Sequence, residues 1–328
     1  MFRSANVTMV TMLKRSLAAG LLAGVAMAPS MVKASQLSSD ARASIPRDVQ
    51  QIIVVDYRAM QNSPAAMQLK DRVLPPELKR LETALKSSGL EVDDDADTLA
   101  FAAYHTPGSE ATRILGVAQG QFDYQAVLAR FAKQKTKPVM LRNNRIYPMG
   151  AAGMSVAFLN QTTLIFGDRD AVKNALDARD GLVPNFLQNS EMMNDMAMVD
   201  SRAVWSLLDQ KGTQTMMKSV LGEAAQLADY DTVKNRMKSA RYTMDFSNGV
   251  KFDMSVVMSD TMTAATAATL MKGVAILKKS SGSPLERTAV DDTTIDSNSG
   301  TLTVSYSSSD SEFAGLLTSP LFQQVVVK

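Results

Sequence analysis

The residues suited to acid–base or metal chemistry are few, because the sequence contains one histidine and no cysteine. His105 lies at the end of a predicted strand, before a Pro-Gly turn. No pattern near it supplies the carboxylate and the nucleophile that a general base would need, so we interpret it as a surface histidine. The lack of cysteine excludes disulfides, thiolate metal sites and cysteine nucleophiles.

The densest acidic cluster is EVDDDAD, residues 91–97. Its alternating aspartates resemble the start of a calcium-binding loop. However, the sixth position of that loop needs a glycine and holds Thr98, and the twelfth needs a bidentate glutamate and holds Tyr104. We therefore interpret the cluster as a solvated linker and assign no metal site.

Three other patterns could indicate catalysis or phosphate binding. Ser155 in GMSVA lacks the second glycine of a nucleophile elbow, and Gly116 and Gly120 lack the Lys-Ser or Lys-Thr pair of a phosphate-binding loop. Asp168 and Asp170 could form a carboxylate pair, although helix capping explains both without a substrate. We therefore assign no catalytic, cofactor-binding or metal-ligating residue and expect no cofactor.

The first 34 residues have the pattern of a secretory signal peptide. Lys14 and Arg15 precede the apolar run LAAGLLAGVAM, and Val32-Lys33-Ala34 has small residues where a signal peptidase reads. We expect cleavage after Ala34 and export to the periplasm or the extracellular space. A retained N-terminal helix is the alternative.

Charge and hydropathy limit the partners of the mature chain. The whole chain has a formal charge of +2, and removal of four basic residues with the leader leaves −2. This balance gives no electrostatic reason to expect nucleic acid or an anionic membrane as the partner. No second apolar stretch reaches the length of a bilayer span, so we expect none in the mature chain.

Two segments of the chain share one pattern, a strand followed by an amphipathic helix. In residues 113–134 the helical positions begin at Tyr124, and in residues 250–279 they include Ala267, 143 residues later. A second pair of helices, with apolar positions starting at Val172 and Phe313, is offset by 141 residues. This nearly constant offset indicates an internal duplication, and convergent patterning is the alternative.

We therefore predict an α+β fold that consists of a tandem duplication of an antiparallel-sheet module, with helices packed on one face of each sheet. The predicted divisions are a signal peptide at 1–34, a linker at 35–47, a first repeat at 48–190 and a second repeat at 191–328. Whether the two repeats form one sheet is left open by the sequence.

Function is predicted only as a class. We expect an exported, non-enzymatic binding or interaction protein, and its clustered methionines suit a hydrophobic small molecule or an envelope protein as the partner. One alternative is a hydrolase with carboxylates gathered from distant positions, such as Asp56, Asp123 and Asp168. The other is a structural component of the envelope.

Overall fold

The computed structural model describes residues 36–61, 63–73, 83, 85–86, 90, 95–105, 112–149, 153–222, 225 and 230–319. The described chain contains strands and helices in the proportions of an α+β protein, as predicted. The strands are β1 Val49–Asp56, β2 Ala96–His105, β3 Thr112–Gly120, β4 Val139–Leu141, β5 Asn144–Met149, β6 Met154–Phe158, β7 Thr163–Asp168, β8 Val204–Leu208, β9 Met237–Asp245, β10 Val250–Met258, β11 Thr293–Asn298 and β12 Thr301–Ser308.

The helices lie before, between and after groups of these strands, and a 3₁₀ turn, Phe186–Gln188, lies between α5 and α6. They are α1 Ser39–Ser44, α2 Tyr57–Met60, α3 Pro64–Val73, α4 Tyr124–Lys133, α5 Arg169–Arg179, α6 Ser190–Met196, α7 Gln210–Leu221, α8 Tyr230–Lys234, α9 Thr261–Ser281, α10 Pro284–Asp291 and α11 Asp310–Leu316. Both strand–helix units on which the prediction rested are present, as β3 with α4 and β10 with α9.

All twelve strands form one antiparallel sheet. Its order is β11-β12-β10-β9-β8-β1-β2-β3-β7-β6-β5-β4. From the centre outwards, β1-β2-β3-β7-β6 and β8-β9-β10-β12-β11 have the same connectivity, and the hairpin β4-β5 is an addition to the first half. An internal duplication requires this agreement of strand order. The duplication itself stays a prediction.

Helices pack on both faces of the first half, which differs from the predicted single face. Neighbouring residues of a strand point to opposite faces. On β2, Ala100 shares an apolar cluster with Val172 of α5, whereas Phe101 shares another with Phe131 of α4. The central strands are apolar on both sides, so both sides must be covered. Further out in the second half, one face of β10 is polar and accessible to solvent, as at Asp253.

The predicted equivalence of α5 and α11 is wrong. Ile52 of β1 shares its cluster with Val172 of α5, and the adjacent Ile53 shares another with Phe313 of α11. The two helices therefore lie on opposite faces of the sheet. An apolar spacing of 3.6 residues predicts a helix but does not determine which face of a sheet it covers.

Residues 36–47 also differ from the expected linker. They include α1, whose N-cap Ser38 accepts a hydrogen bond from the backbone N–H of Ala41 at 3.1 Å. Leu37, Ala41 and Ile45 are buried in the cluster that contains α5. Although the segment is mostly polar, these three apolar side chains lie on one side of it and pack against the core, so the segment is part of the fold.

Gly116 provides a test of packing at the sheet. A Cβ atom added there would lie 2.0 Å from Cε2 of Phe166 on the neighbouring strand. We expect Gly116→Ala to lower the free energy of unfolding by about 1–3 kcal/mol. Urea unfolding can be followed by the fluorescence of Trp205, the single tryptophan, which is buried.

Gly273→Ala in α9 is the matched control, because nothing lies within 4 Å of its added Cβ. This substitution should raise the free energy of unfolding by up to about 1 kcal/mol, since alanine favours the helix. Equal stability of Gly116→Ala and the unchanged chain would contradict the assigned packing of β3 against β7.

Candidate functional site

The three carboxylates of the hydrolase hypothesis are all helix caps. Asp56, Asp123 and Asp168 each accept a hydrogen bond from the backbone N–H three residues later, at 2.9, 2.9 and 2.8 Å. These bonds satisfy amides that the first helical turn leaves unpaired.

The same carboxylates do not meet in one cleft. Asp56 is the last residue of β1 and Asp123 follows β3. These two strands have β2 between them and are therefore about 10 Å apart. Asp168 ends β7, which runs antiparallel to β3, so it lies at the opposite end of the sheet. The geometry gives no support to a hydrolase site built from these three residues.

Asp168 and Asp170 share one cation. Arg113 donates from its two Nη atoms to Asp168 at 2.9 Å and to Asp170 at 2.8 Å. The single positive charge of Arg113 attracts both carboxylates, and Asp168 also caps α5. Asp168 therefore has the predicted capping role, whereas Asp170 lies in the first turn of α5 and pairs with Arg113.

The acidic cluster is described only in part, because residues 91–94 lie outside the described ranges. Asp97 forms an ion pair with Arg58. Burial raises the pKa of Asp97, and Arg58 opposes that rise. Within the described residues, no group of three or more histidine, aspartate or glutamate side chains could hold a metal ion.

Ser155 and the two glycines have packing roles. Ser155 is buried within β6, in an extended strand with no strand-to-helix turn. Gly116 faces Phe166, and a Cβ atom on Gly120 would lie 1.9 Å from the carbonyl oxygen of Asp95. These glycines allow close contact between elements of the protein, so no phosphate-binding loop is formed by them.

His105 lies near Asp209, a residue that the sequence analysis missed. Asp209 follows β8 and caps α7, accepting from the backbone N–H of Gly212 at 2.7 Å. Burial raises the pKa of Asp209 to about 6, although the cap bond and the charges of Lys211 and His105 oppose the rise. In the sequence, an aspartate directly after the apolar run VWSLL indicates a helix cap that follows a strand.

The most unusual exposed surface lies on the second half of α9. Up to Met271, α9 buries one side against the sheet, and none of its residues from 272 to 281 is fully buried. Ile276 and Leu277 are 67% and 59% exposed. We call this segment, with its neighbouring lysines, the α9 distal surface; it comprises Lys272, Ile276, Leu277, Lys278 and Lys279.

Charge on α9 is of one sign. Residues 261–281 contain three lysines and no acidic residue. Lys279 forms an ion pair with Asp291 of α10, which leaves the charges of Lys272 and Lys278 in the exposed region. The distal surface therefore combines apolar side chains with positive charge.

The apolar spacing of this helix predicts its buried side but not the distal surface. The sequence does contain an indication of this surface. Two large apolar residues, Ile276 and Leu277, directly precede two lysines and lie outside the helical spacing of the buried side. None of the helices in the described ranges combines the length and hydropathy of a bilayer span.

Comparison with known proteins identifies a shared fold. No protein-family model matches the chain, and no curated protein matches its sequence. Two crystal forms of TP0453 are similar in structure. Form I has a TM-score of 0.51 at 8% identity, covering 85% of this chain and 97% of TP0453, and form III has 0.50 at 10%, covering 84% and 96%. At such low identity the likeness shows the fold alone.

Replacement of Asp209 by asparagine tests the effect of its burial. The pKa of Asp209 is raised in the folded state, so the folded chain binds more protons than the unfolded chain between about pH 4 and 6. Stability from this group is therefore present below about pH 4 and is lost as the pH rises to 6. Asparagine keeps the cap without the charge, so Asp209→Asn should raise the free energy of unfolding at pH 7.5 by about 1–2 kcal/mol.

At pH 4 the gain should disappear, which urea unfolding at the two pH values would measure. Asp260→Asn is the control of opposite sign, because hydrogen bonds from Thr263 and Ser259 lower the pKa of this exposed cap. That variant should lose stability at pH 7.5. A loss by Asp209→Asn at pH 7.5 would contradict the assigned effect of burial.

Proposed function

We propose that this is an exported, non-enzymatic protein that binds an anionic membrane surface peripherally through the α9 distal surface. The observation that carries this proposal is the exposure of Ile276 and Leu277 beside lysines on a helix without acidic residues. A single exposed apolar residue needs no explanation, but two adjacent ones within a cationic helix end have the composition of an interfacial segment.

The apolar side chains and the lysines of the distal surface would contribute to membrane binding in different ways. Ile276 and Leu277 would be removed from water by insertion at the level of the lipid headgroups. Each lysine close to an anionic surface contributes about 1 kcal/mol at physiological ionic strength. The net charge of the mature chain does not oppose this, because electrostatic attraction at short range depends on the local surface.

The predicted hydrophobic ligand between sheet and helices stays a prediction. Apolar clusters lie between the sheet and the helices, and the cluster under α7 and α9 includes several methionines. The distal surface lies outside that cluster and has no covering element among the described residues. This contrast favours surface binding over enclosure of a ligand.

Vesicle flotation tests the proposal with the chain from residue 35 onward, since the leader would itself bind lipid. We expect it to float with vesicles that contain phosphatidylglycerol and to remain unbound with phosphatidylcholine alone. Ile276→Ser with Leu277→Ser should weaken binding at least about tenfold. Leu182→Ser is the matched control, because Leu182 is 62% exposed elsewhere in the chain.

Lys272→Gln with Lys278→Gln should weaken binding to the anionic vesicles and reduce its salt dependence. Equal flotation of the unchanged chain and the serine variant would contradict the proposal. A stable dimer in analytical ultracentrifugation would also contradict the proposal if the serine substitutions dissociated it. In that case the distal surface would pair two copies of the chain.

Export is tested independently of membrane binding. When the full chain is expressed in a bacterial host, mass spectrometry of the exported protein should show Ser35 as its first residue. Recovery of the full chain only from the cytoplasm would contradict the predicted signal peptide.

A further inference from the structure

A row of buried polar side chains crosses the strands that join the two halves of the sheet. Gln51 of β1, Ser206 of β8 and Tyr242 of β9 are each at most 3% exposed. Nε2 of Gln51 donates to Oγ of Ser206 at 3.3 Å and to the hydroxyl oxygen of Tyr242 at 3.4 Å. Both bonds are long, and apolar clusters occupy the rest of this face.

The other end of the Gln51 amide has no hydrogen-bond partner among the described residues, and neither has Oγ1 of Thr213 on α7. Thr213 is completely buried. Reversal of the amide would pair its oxygen with the two hydroxyl groups and leave its nitrogen unpaired, so one end lacks a partner in either orientation.

Gln51 and Thr213 belong to one interface, between β1 and the first turn of α7. The backbone N–H of Asp209 donates to the carbonyl oxygen of Gln50 at 3.0 Å. Gly212 lies so close that an added Cβ atom would be 2.3 Å from the same oxygen. Thus the first turn of α7, which includes Thr213, lies against β1 at Gln50, the residue before Gln51.

We propose that this interface holds one buried water molecule, hydrogen-bonded to the Gln51 amide and to the Thr213 hydroxyl. Water can both donate and accept, so it satisfies either orientation of the amide. A buried polar group without a partner costs about 1–3 kcal/mol, and interior waters hydrogen-bond to buried polar groups that are otherwise unsatisfied. The water couples α7 to the strand at the centre of the sheet.

Substitution of Thr213 by valine distinguishes a hydrated interface from a dry one by the sign of its effect. If a water bridges the two side chains, Thr213→Val removes one of its partners and should lower the equilibrium constant for folding about tenfold. If the interface is dry, the same substitution removes an unpaired hydroxyl and should raise that constant. Thr213→Ser keeps the hydroxyl and should have a smaller effect.

Thr215→Val is the matched control on the same helix, since its hydroxyl bonds to the carbonyl oxygen of Lys211 at the surface. Gln51→Met with Thr213→Val should recover part of the loss, because both polar groups are then absent. A crystal structure should show a water within about 3 Å of both side chains. A stabilising Thr213→Val, or an interface without a water in the electron density, would overturn the proposal.

Discussion

The pairing of β1 with β8 is the interaction on which the architecture depends. It is the strand pair that joins the two halves into one sheet, with Val54 opposite Trp205. All residues of both strands are buried. Because side chains on both faces of these strands are mostly apolar, the centre of the sheet needs cover on both sides, and this requirement places α1 and α5 on one face and α3 and α11 on the other.

Five aspartates in the described residues begin helices as N-caps. Asp56 ends β1, Asp209 directly follows β8, and each caps the helix that follows; Asp260 caps α9 in the same way. A carboxylate at a helix start accepts hydrogen bonds from backbone amides that the first turn leaves unpaired. Capping therefore explains why these aspartates lie at the ends of strands.

The sequence predicted the elements with strong periodicity and missed those defined by tertiary contacts. β10 alternates and α4 has regular helical spacing, so both were predicted correctly. The five-residue strand β8 was missed because a short apolar run has no period of its own. The burial of residues 36–47 was missed because a polar segment can still bury a few apolar side chains against a core built from distant residues.

At the candidate site, too, local features could be predicted from the sequence and features that depend on tertiary contacts could not. The capping role of Asp168 follows from local sequence and was predicted, and so was the buried side of α9. Neither the exposure of Ile276 and Leu277 nor the contact of Gln51 with Tyr242, 191 residues apart, can be derived from local patterns. Both depend on where the helix ends relative to the sheet and on the order of the strands.

The most direct test of the membrane-surface account is hydrogen–deuterium exchange of the mature chain with and without phosphatidylglycerol vesicles. The account predicts slower amide exchange in residues 272–281 when vesicles are present, with unchanged exchange in α7 as the internal reference. Unchanged exchange in residues 272–281, or protection confined to another part of the chain, would contradict it.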